Sequence, residues 1–230
     1  MIFNPITYSK EQADFILAFN KLKLSEKKNY WDAIGNKNLD ELKSSIKNFY
    51  LEAQGFKCPY CRQQIKVSHN ASWDTDHIIP KDTHPNFMFE PINLCVSCKD
   101  CNGEKSNKKV LNSRATVRLP KKSGCYLIVH PHIDDFDQHI KIIDSATYFL
   151  PRTDKGRKTI EVCGLLRFVY EYSNYGNVEL AIKEGISTYT QALLDTTDPL
   201  EEQAYLSFIE DLTKKGKELS KQAFLKKFGK

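Results

Sequence analysis

The chain lacks several features that would assign it at once to a class of protein. None of its apolar runs approaches the roughly 20 residues of a membrane-spanning helix, and its first residues do not join a basic stretch to an apolar one as a secretory signal would. It has no internal repeat and no low-complexity tract. We therefore expect a globular protein of the cytoplasm, without a membrane partner.

Two short motifs are missing as well. The sequence has no phosphate-cradling G-x-x-x-x-G-K-[ST] loop and no recognisable helix-turn-helix. The chain thus shows no means of its own to use ATP or to select a base sequence. With 230 residues, of which 40% are apolar and 27% charged, it can form one large domain or two small ones.

The cysteines are odd in number, seven, and five of them are clustered. This pattern indicates metal binding in a reducing compartment rather than a disulfide framework. Two Cys-x-x-Cys pairs, Cys58/Cys61 and Cys98/Cys101, supply the four thiolates of a structural Zn²⁺ site. Cys95/Cys98 is an alternative pair. We favour Cys98/Cys101, because the stretch around Cys95 is typical of a buried strand in which a thiol is a small apolar side chain.

Polar residues of a different kind lie between and after the cysteine pairs: Asp76-His77-Ile78-Ile79-Pro80, then Asn93 and Asn102. A carboxylate and an amide oxygen suit Mg²⁺, which keeps several waters and takes further ligands from a phosphate. An imidazole, with a reference pKa of about 6.5, can accept a proton from water near neutral pH. These residue types predict a site for metal-assisted hydrolysis.

At these residues the chain resembles the HNH, or ββα-metal, endonuclease family. The resemblance is carried by Cys58-x-x-Cys61, by residues 73–80 (WDTDHIIP) and by residues 93–106 (NLCVSCKDCNGEKS). It implies a β-hairpin followed by a helix that closes over one divalent ion, Mg²⁺ or Mn²⁺. The expected reaction is hydrolysis of a nucleic-acid phosphodiester, with DNA favoured over RNA.

The same resemblance implies a role for each polar residue. Asp76 and Asn102 would be metal ligands, and His77 would be the general base. Asn93 would fix the loop and the orientation of His77, while Lys105 would add positive charge beside the phosphate. Many members have His where this chain has Asn102; the HNH domains of CRISPR effector nucleases also have Asn there.

Local patterns give expected element positions. Capping signatures at Ser9 and Asn38 predict two helices that pack on the core as scaffold. The remaining expectations are strands at 64–68, 72–79, 125–129, 142–143 and 148–150, a metal helix at 99–109, and helices at 159–172, 177–194, 199–215 and 218–228.

Taken together, the patterns predict an α+β fold, a zinc-stabilised ββα-metal (HNH) core embedded in a mainly helical scaffold. We expect a helical scaffold over residues 1–55 and the nuclease core with its Cys₄ zinc over residues 56–115. Residues 116–230 would form a mainly helical α+β region for partner docking or nucleic-acid binding.

Charge is unevenly distributed around a net value of +5. Residues 99–122 carry eight Lys or Arg against two acids, next to the predicted metal helix. Residues 214–230 carry seven Lys against one acid, whereas residues 195–211 carry six acids and no base. The first basic stretch suits phosphate neutralisation. For the C-terminal lysines a solvated helix face is an equal alternative.

The stretch His130–His139 holds three His and three Asp. This pattern is found both in metal sites and in polar turns. We favour the turn, because no pair has the i,i+4 spacing of a helical zinc motif. Residues 130–135 (HPHIDD) with residues 158–167 (KTIEVCGLLR) also resemble the pattern that follows the HNH core in PtuB-like proteins. Those are HNH subunits of Septu-type and retron-linked antiphage systems, which work beside an ABC-type ATPase.

These resemblances imply the effector nuclease of a prokaryotic defence system, with an ATPase partner. Two alternatives stay open. One is a stand-alone restriction or homing-type HNH nuclease. The other is a zinc module that binds nucleic acid without cutting it.

Overall fold

The structure is a computed structural model, and it describes residues 2–67, 72–112, 115–143, 148–167 and 178–228. The chain divides into two compact units, Met1–Phe136 and Asp137–Lys230. Within the described ranges no helix is both long and apolar enough to cross a membrane.

The first unit opens with helices that begin at polar caps. Helix α1 (Lys10–Asn20) starts at the predicted capping box, in which Ser9 and Gln12 each bind the other's backbone N–H. Helix α2 (Leu24–Lys27) and a 3₁₀ turn (Tyr30–Asp32) follow.

The N-cap of helix α3 (Lys37–Ala53) is Asn36, two residues before the predicted cap, because Asn36 Oδ1, and not Asn38, accepts the hydrogen bond of the Leu39 N–H. It ends just before Gly55, whose φ of 59° lies in the left-handed region that favours glycine. One face of α3 is buried in the core: Leu39, Leu42, Ile46, Tyr50 and Leu51. Burial of each large apolar side chain stabilises the fold by roughly 1.5–3 kcal/mol.

The central feature of the first unit is a two-stranded antiparallel sheet. Strand β1 (Trp73–His77) pairs with β2 (Leu94–Cys98), so that His77 lies opposite Leu94 at one end and Trp73 opposite Cys98 at the other. All five residues of β2 are buried.

The connection between the strands contains 3₁₀ turns at Pro85–Phe87 and Pro91–Asn93. Helix α4 (Lys99–Lys105) follows β2 directly. It is shorter than the predicted 99–109, because Ser106 has a φ of 41°, outside the right-handed helical region. The strand–strand–helix order inside a helical surround confirms the predicted α+β fold.

The second unit combines a small sheet with longer helices. Helix α5 (Phe136–His139) leads into β3 (Ile140–Ile143), which pairs antiparallel with β4 (Tyr148–Pro151). Helix α6 (Asp154–Val162) is capped by Thr153. A Cβ at Gly156 would collide with the His139 carbonyl group, so this position of α6 requires glycine.

Helices α7 (Val178–Asp195) and α8 (Pro199–Phe228) complete the second unit. They pack on each other through rings such as Tyr189 and Phe208, whose centroids are 5.3 Å apart. The two predicted helices 199–215 and 218–228 are one continuous helix, α8. Gly216 does not interrupt it; a Cβ there would lie 3.3 Å from Ile182 of α7, so the glycine allows close helix packing.

Other local predictions were wrong in detail. Residues 125–129 do not form a strand. Cys125 ends a 3₁₀ turn (Ser123–Cys125), and Tyr126 makes one isolated bridge with Leu111. The stretch is apolar because it is buried, not because it is extended. Helix α6 ends at Val162 rather than 172, since Gly164 turns left-handed with φ of 60°. Residues 168–172 lie outside the described part.

The predicted strand at 64–68 is reduced to one bridge, between Gln64 and Lys57, and residue 68 lies outside the described part. The boundary between the compact units falls within the predicted region 116–230. The division into regions 1–55, 56–115 and 116–230 stays a prediction.

Candidate metal centre and active site

A cleft of about 740 Å³ in the first unit brings most of the predicted site residues together. It is lined by residues within 31–48, by β1 and the residues after it (73–82), and by α4 and the turn after it (102–107). Asp76, His77, Asn102 and Lys105 are among the lining residues. Asn93 is fully buried and is not one of them.

Asp76 accepts two short hydrogen bonds. Its Oδ1 accepts from Lys105 Nζ at 2.8 Å, and its Oδ2 accepts from the Tyr60 hydroxyl at 2.6 Å. Lys105 also donates to the His77 carbonyl oxygen at 2.9 Å. The side chains of Asp76 and Lys105 are 2% and 1% exposed. Because a carboxylate offers about four lone-pair sites, Asp76 keeps capacity for a metal ion beside these bonds.

His77 ends β1 and is almost fully buried. Its Nε2 lies 3.0 Å from the Met88 carbonyl oxygen, which only accepts, so Nε2 carries the proton and the lone pair of the neutral ring is on Nδ1. Burial lowers the pKa of His77 to about 4 and outweighs the raising effect of Asp76. The pKa of His77 thus lies below the imidazole reference value of about 6.5, and the imidazole is neutral at pH 7.

Asn93 joins the two ends of the connection between the strands. Its Oδ1 accepts from the Ile79 N–H at 2.8 Å, and its Nδ2 donates to the carbonyl oxygens of Ile79 and Phe87 at 3.1 and 3.0 Å. Its own carbonyl oxygen accepts from the Ile78 N–H at 2.8 Å. The residues immediately after His77 are therefore fixed by one buried amide; the role of Asn93 in orienting His77 stays a prediction.

Asn102 lies on α4 and reaches across to β1. Its Nδ2 donates to Asp74 Oδ2 at 3.0 Å, which leaves its Oδ1 as the atom for a metal. Asp74 and Asp76 are two residues apart in a strand and so lie on one face of the sheet. Asp74 was not among the predicted site residues, although its i,i+2 spacing from Asp76 would have indicated it.

Helix α3 supplies another wall of the cleft. Five of its residues line the cleft at the helical spacing of one face: Asp40, Lys43, Ser44, Lys47 and Asn48. Lys47 Nζ donates to the Trp73 carbonyl oxygen at 2.6 Å. Helix α3, which the sequence predicts as scaffold, thus also borders the site.

Trp31 joins this wall to His77. The two rings meet edge to face with centroids 4.6 Å apart, and Lys43 Nζ lies 5.7 Å from the centre of the indole. Phe89 packs against Trp31 at 5.7 Å, and Phe19 of α1 meets Phe89 at 4.8 Å. Aromatic packing that begins in α1 therefore limits where the imidazole can turn.

The four predicted zinc ligands come together. The sulfur atoms of Cys58, Cys61, Cys98 and Cys101 all lie within 4.8 Å of one another, and those of Cys61 and Cys98 are 3.8 Å apart. A tetrahedron with Zn–S bonds of about 2.3 Å has sulfur–sulfur edges of about 3.8 Å. The cluster therefore fits Zn²⁺, with Cys98/Cys101 as the second pair.

The buried thiols of this cluster affect one another's ionisation. Hydrogen bonds from Cys101, Cys58 and Cys61 hold the pKa of Cys98 well below its usual range, whereas Cys58, Cys61 and Cys98, together with burial, raise the pKa of Cys101. The cluster thus favours ionisation of Cys98 and opposes that of Cys101. Four thiolates together require the compensating charge of a metal ion.

Cys95 lies apart from the zinc cluster and on the side of Asp76. Its sulfur is 3.9 Å from Asp76 Oδ2 and 3.9 Å from the Tyr60 hydroxyl. Burial raises its pKa well above the ordinary thiol value, so it stays protonated. This agrees with its prediction as a small buried side chain of a strand.

The stretch His130–His139 makes hydrogen bonds that stabilise the fold. Among the described residues, the four cysteines are the only group of three or more potential metal ligands whose atoms cluster. Asp134 Oδ2 accepts from the His130 N–H at 2.7 Å, which closes a polar turn. The His132 ring lies 2.7 Å from the Leu94 carbonyl oxygen and 3.2 Å from that of Phe3, so it joins β2 to the N-terminal segment.

Comparisons with known proteins agree with the site. The family model for HNH endonucleases matches residues 58–108, so the chain contains an HNH endonuclease domain there. The Septu protein PtuB of Bacillus thuringiensis is 33% identical over 124 residues, which are 54% of this chain and 42% of PtuB. The protein ea31 of Escherichia phage lambda is 32% identical over 101 residues, which are 42% of this chain and 29% of ea31. No solved structure matches.

Proposed function

We propose that this chain, whose residues 58–108 form an HNH endonuclease domain, is a metal-dependent nuclease that hydrolyses phosphodiester bonds of nucleic acid, with DNA favoured. The observation that carries the proposal is the convergence of Asp76, His77 and Asn102 on one cleft. A buried carboxylate, an amide oxygen and a neutral imidazole are the groups that this reaction needs.

The proton-transfer step is assigned to His77. Its Nε2–H is held by the Met88 carbonyl oxygen, so the lone pair of Nδ1 takes the proton from the attacking water. Since burial keeps the ring neutral, every molecule has the base in its active form at pH 7. Asn93 and Trp31 hold the imidazole and its strand end in place.

Asp76 and Asn102 would hold the divalent ion, Mg²⁺ or Mn²⁺. The bound ion would supply positive charge to a non-bridging phosphate oxygen and to the leaving 3′-oxygen. Lys105, which pairs with Asp76, would place a second cationic group at the inner side of the cleft. Zn²⁺ on the four cysteines is structural in this proposal, since all four positions of a tetrahedral site are filled by protein.

Cleavage of plasmid and of single-stranded DNA and RNA, with Mg²⁺ or with EDTA, tests the proposal. We expect cleavage only with the metal, and a loss of about 10²–10⁴-fold in His77→Ala, because a general base is removed. His84→Ala is the matched control; His84 is in the same connection but outside the cleft lining, and this variant should cut as the wild type does. Equal turnover in His77→Ala and wild type would refute the mechanism.

A second candidate is a zinc module that binds nucleic acid without cutting it. One observation favours it: both oxygens of Asp76 already accept hydrogen bonds, from Lys105 and Tyr60. Binding of nucleic acid with no product under any metal would select this candidate.

We further propose that the chain is the effector subunit of a prokaryotic antiphage system and acts beside an ABC-type ATPase. Similarity to the Septu protein PtuB supports this, together with the pattern in residues 130–135 and 158–167. The chain spans less than half the length of PtuB. A stand-alone restriction or homing-type nuclease is the alternative, and a cytoplasmic location stays a prediction.

A further inference from the structure

Tyr60 connects the cysteine cluster to the proposed catalytic carboxylate. It lies between Cys58 and Cys61, its side chain is 1% exposed, and its hydroxyl donates to Asp76 Oδ2 at 2.6 Å. That distance lies within the range of about 2.5–2.7 Å of charge-assisted O–H···O⁻ bonds, which are roughly twice as strong as neutral ones. The contact joins the Cys-x-x-Cys turn to β1.

The turn that carries Tyr60 has a fixed backbone. The Arg62 N–H donates to the Cys58 carbonyl oxygen at 2.9 Å, and the Cys58 N–H donates to the Gln63 carbonyl oxygen at 3.0 Å. Arg62 itself has a φ of 62°, which the surrounding contacts must hold because non-glycine residues rarely adopt it. Metal bonds to both cysteines would fix the same turn from its other side.

The second donor to Asp76 comes from the other cysteine pair. Lys105 lies one helical turn after Cys101 on α4, and its Nζ donates to Asp76 Oδ1. Each Cys-x-x-Cys pair therefore brings one donor to one oxygen of the same carboxylate. Both donor residues are only 1% exposed, so the surrounding packing leaves their side chains little room to rotate.

We infer that the four-cysteine site controls the catalytic metal site through Tyr60, a positioning residue that orients Asp76 for the divalent ion. This inference rests on the proposed function, because it takes Asp76 as a metal ligand. Hydrogen-bond partners of metal ligands set ligand orientation, and their loss typically costs about 10–100-fold in metal affinity or activity. The zinc centre would thereby affect the reaction although none of the four cysteines is among the residues that line the cleft.

Tyr60→Phe tests the inference, because it removes the hydroxyl and keeps the buried ring. Mn²⁺ is titrated into zinc-loaded protein without nucleic acid and followed by electron paramagnetic resonance; zinc content, thermal midpoint and cleavage kinetics are measured in parallel. We expect unchanged zinc, Mn²⁺ binding weakened about 10–100-fold, lower kcat at limiting metal, and an unchanged KM for nucleic acid.

Tyr126→Phe is the matched control. Its hydroxyl donates to the Pro120 carbonyl oxygen, also at 2.6 Å, but Tyr126 is outside the cleft lining. This variant should bind Mn²⁺ as the wild type does. Equal Mn²⁺ affinity in Tyr60→Phe and wild type would overturn the inference, as would loss of zinc from Tyr60→Phe, which would make Tyr60 only a part of the zinc turn.

The two proposals can fail separately. If the wild type cuts no nucleic acid while Tyr60→Phe still weakens Mn²⁺ binding, the coupling stands and the nuclease function fails. If the wild type cuts but Tyr60→Phe matches it in both Mn²⁺ affinity and kcat, the nuclease function stands and the coupling fails. If the wild type binds no Mn²⁺, the coupling is refuted whatever the cleavage assay gives.

Discussion

His77 combines two requirements that oppose each other. A buried imidazole is well oriented, by Met88 on one nitrogen and by Trp31 on the ring, but burial also makes it a weak base. The gain in orientation outweighs this cost if the attacking water is itself acidified by a metal ion, since less driving force is then needed. The proposed metal-dependent mechanism would thus offset the weak basicity of His77.

The lowered pKa of His77 predicts a pH profile. The base is active when neutral, so with saturating metal the rate should rise with pH through about 4 and be level, as far as His77 is concerned, from about pH 5 to 8. Single-turnover cleavage at constant ionic strength measures this profile. An acid limb with a midpoint near 6.5 would show that His77 titrates as an exposed histidine does, and would contradict its burial.

The cysteines give a second prediction at this scale. Cys58→Ser and Cys101→Ser should each lose most of the zinc, about one ion per chain in the wild type, and lower the thermal midpoint, because binding energy at a structural site is folding energy. Cys95→Ser is the control, since its sulfur faces Asp76 and not the cluster. Metal analysis that finds full zinc in both cluster variants would refute the assignment.

Helix α3 shows how one element serves both the core and the site. Its apolar face buries Leu39, Leu42 and Ile46, while the face with Lys43 and Lys47 borders the cleft. The acids that line the cleft, Asp32, Asp40, Asp74, Asp76 and Asp82, would repel a polyanion, so positive charge on this wall matters for binding.

We therefore expect Lys43 and Lys47, on the face of α3 that lines the cleft, to bind phosphates. The double change Lys43→Gln and Lys47→Gln, made in the non-cleaving His77→Ala background, should weaken DNA binding and lower the slope of log K against log salt by about 1 per lysine. Lys37→Gln is the control on the same helix; Lys37 is exposed, pairs with Glu41 and is not in the cleft lining. Equal salt slopes in the double variant and the control would exclude a phosphate-binding role for this wall.

At the scale of the whole molecule, a sequence predicts local motifs better than it predicts contacts between distant segments. The ββα order and the four cysteines were predictable, because each depends on residues close in sequence or of one chemical type. The pairing of Asp74 with Asn102 and the place of Tyr60 against Asp76 were not, because they arise when distant segments pack. Gly164 and Gly216 show the same limit: one ends a helix and the other does not.

Control of the proposed nuclease would be a property of the assembly with its proposed partner. The chain has no G-x-x-x-x-G-K-[ST] loop and no recognisable base-reading motif, yet an unrestrained nuclease would damage its own cell. We expect the protein, purified from its native operon, to elute with an ATPase and to cut poorly when separated from it. Elution alone with efficient cutting would instead favour the self-sufficient restriction-type enzyme.

Because of long-range hydrogen bonds, the HNH domain cannot simply be moved into another protein by itself. Tyr8 donates to the Phe89 carbonyl oxygen at 2.8 Å and Tyr50 to that of Pro91 at 2.6 Å, so residues outside the family match at 58–108 hold the connection that contains Asn93. A fragment cut to the motif would keep its cysteines but lose Trp31 and the α3 wall. Fusion designs that join the HNH domain to a DNA-binding protein should therefore carry the chain from its first helix, and insertions are better placed elsewhere than between the strands.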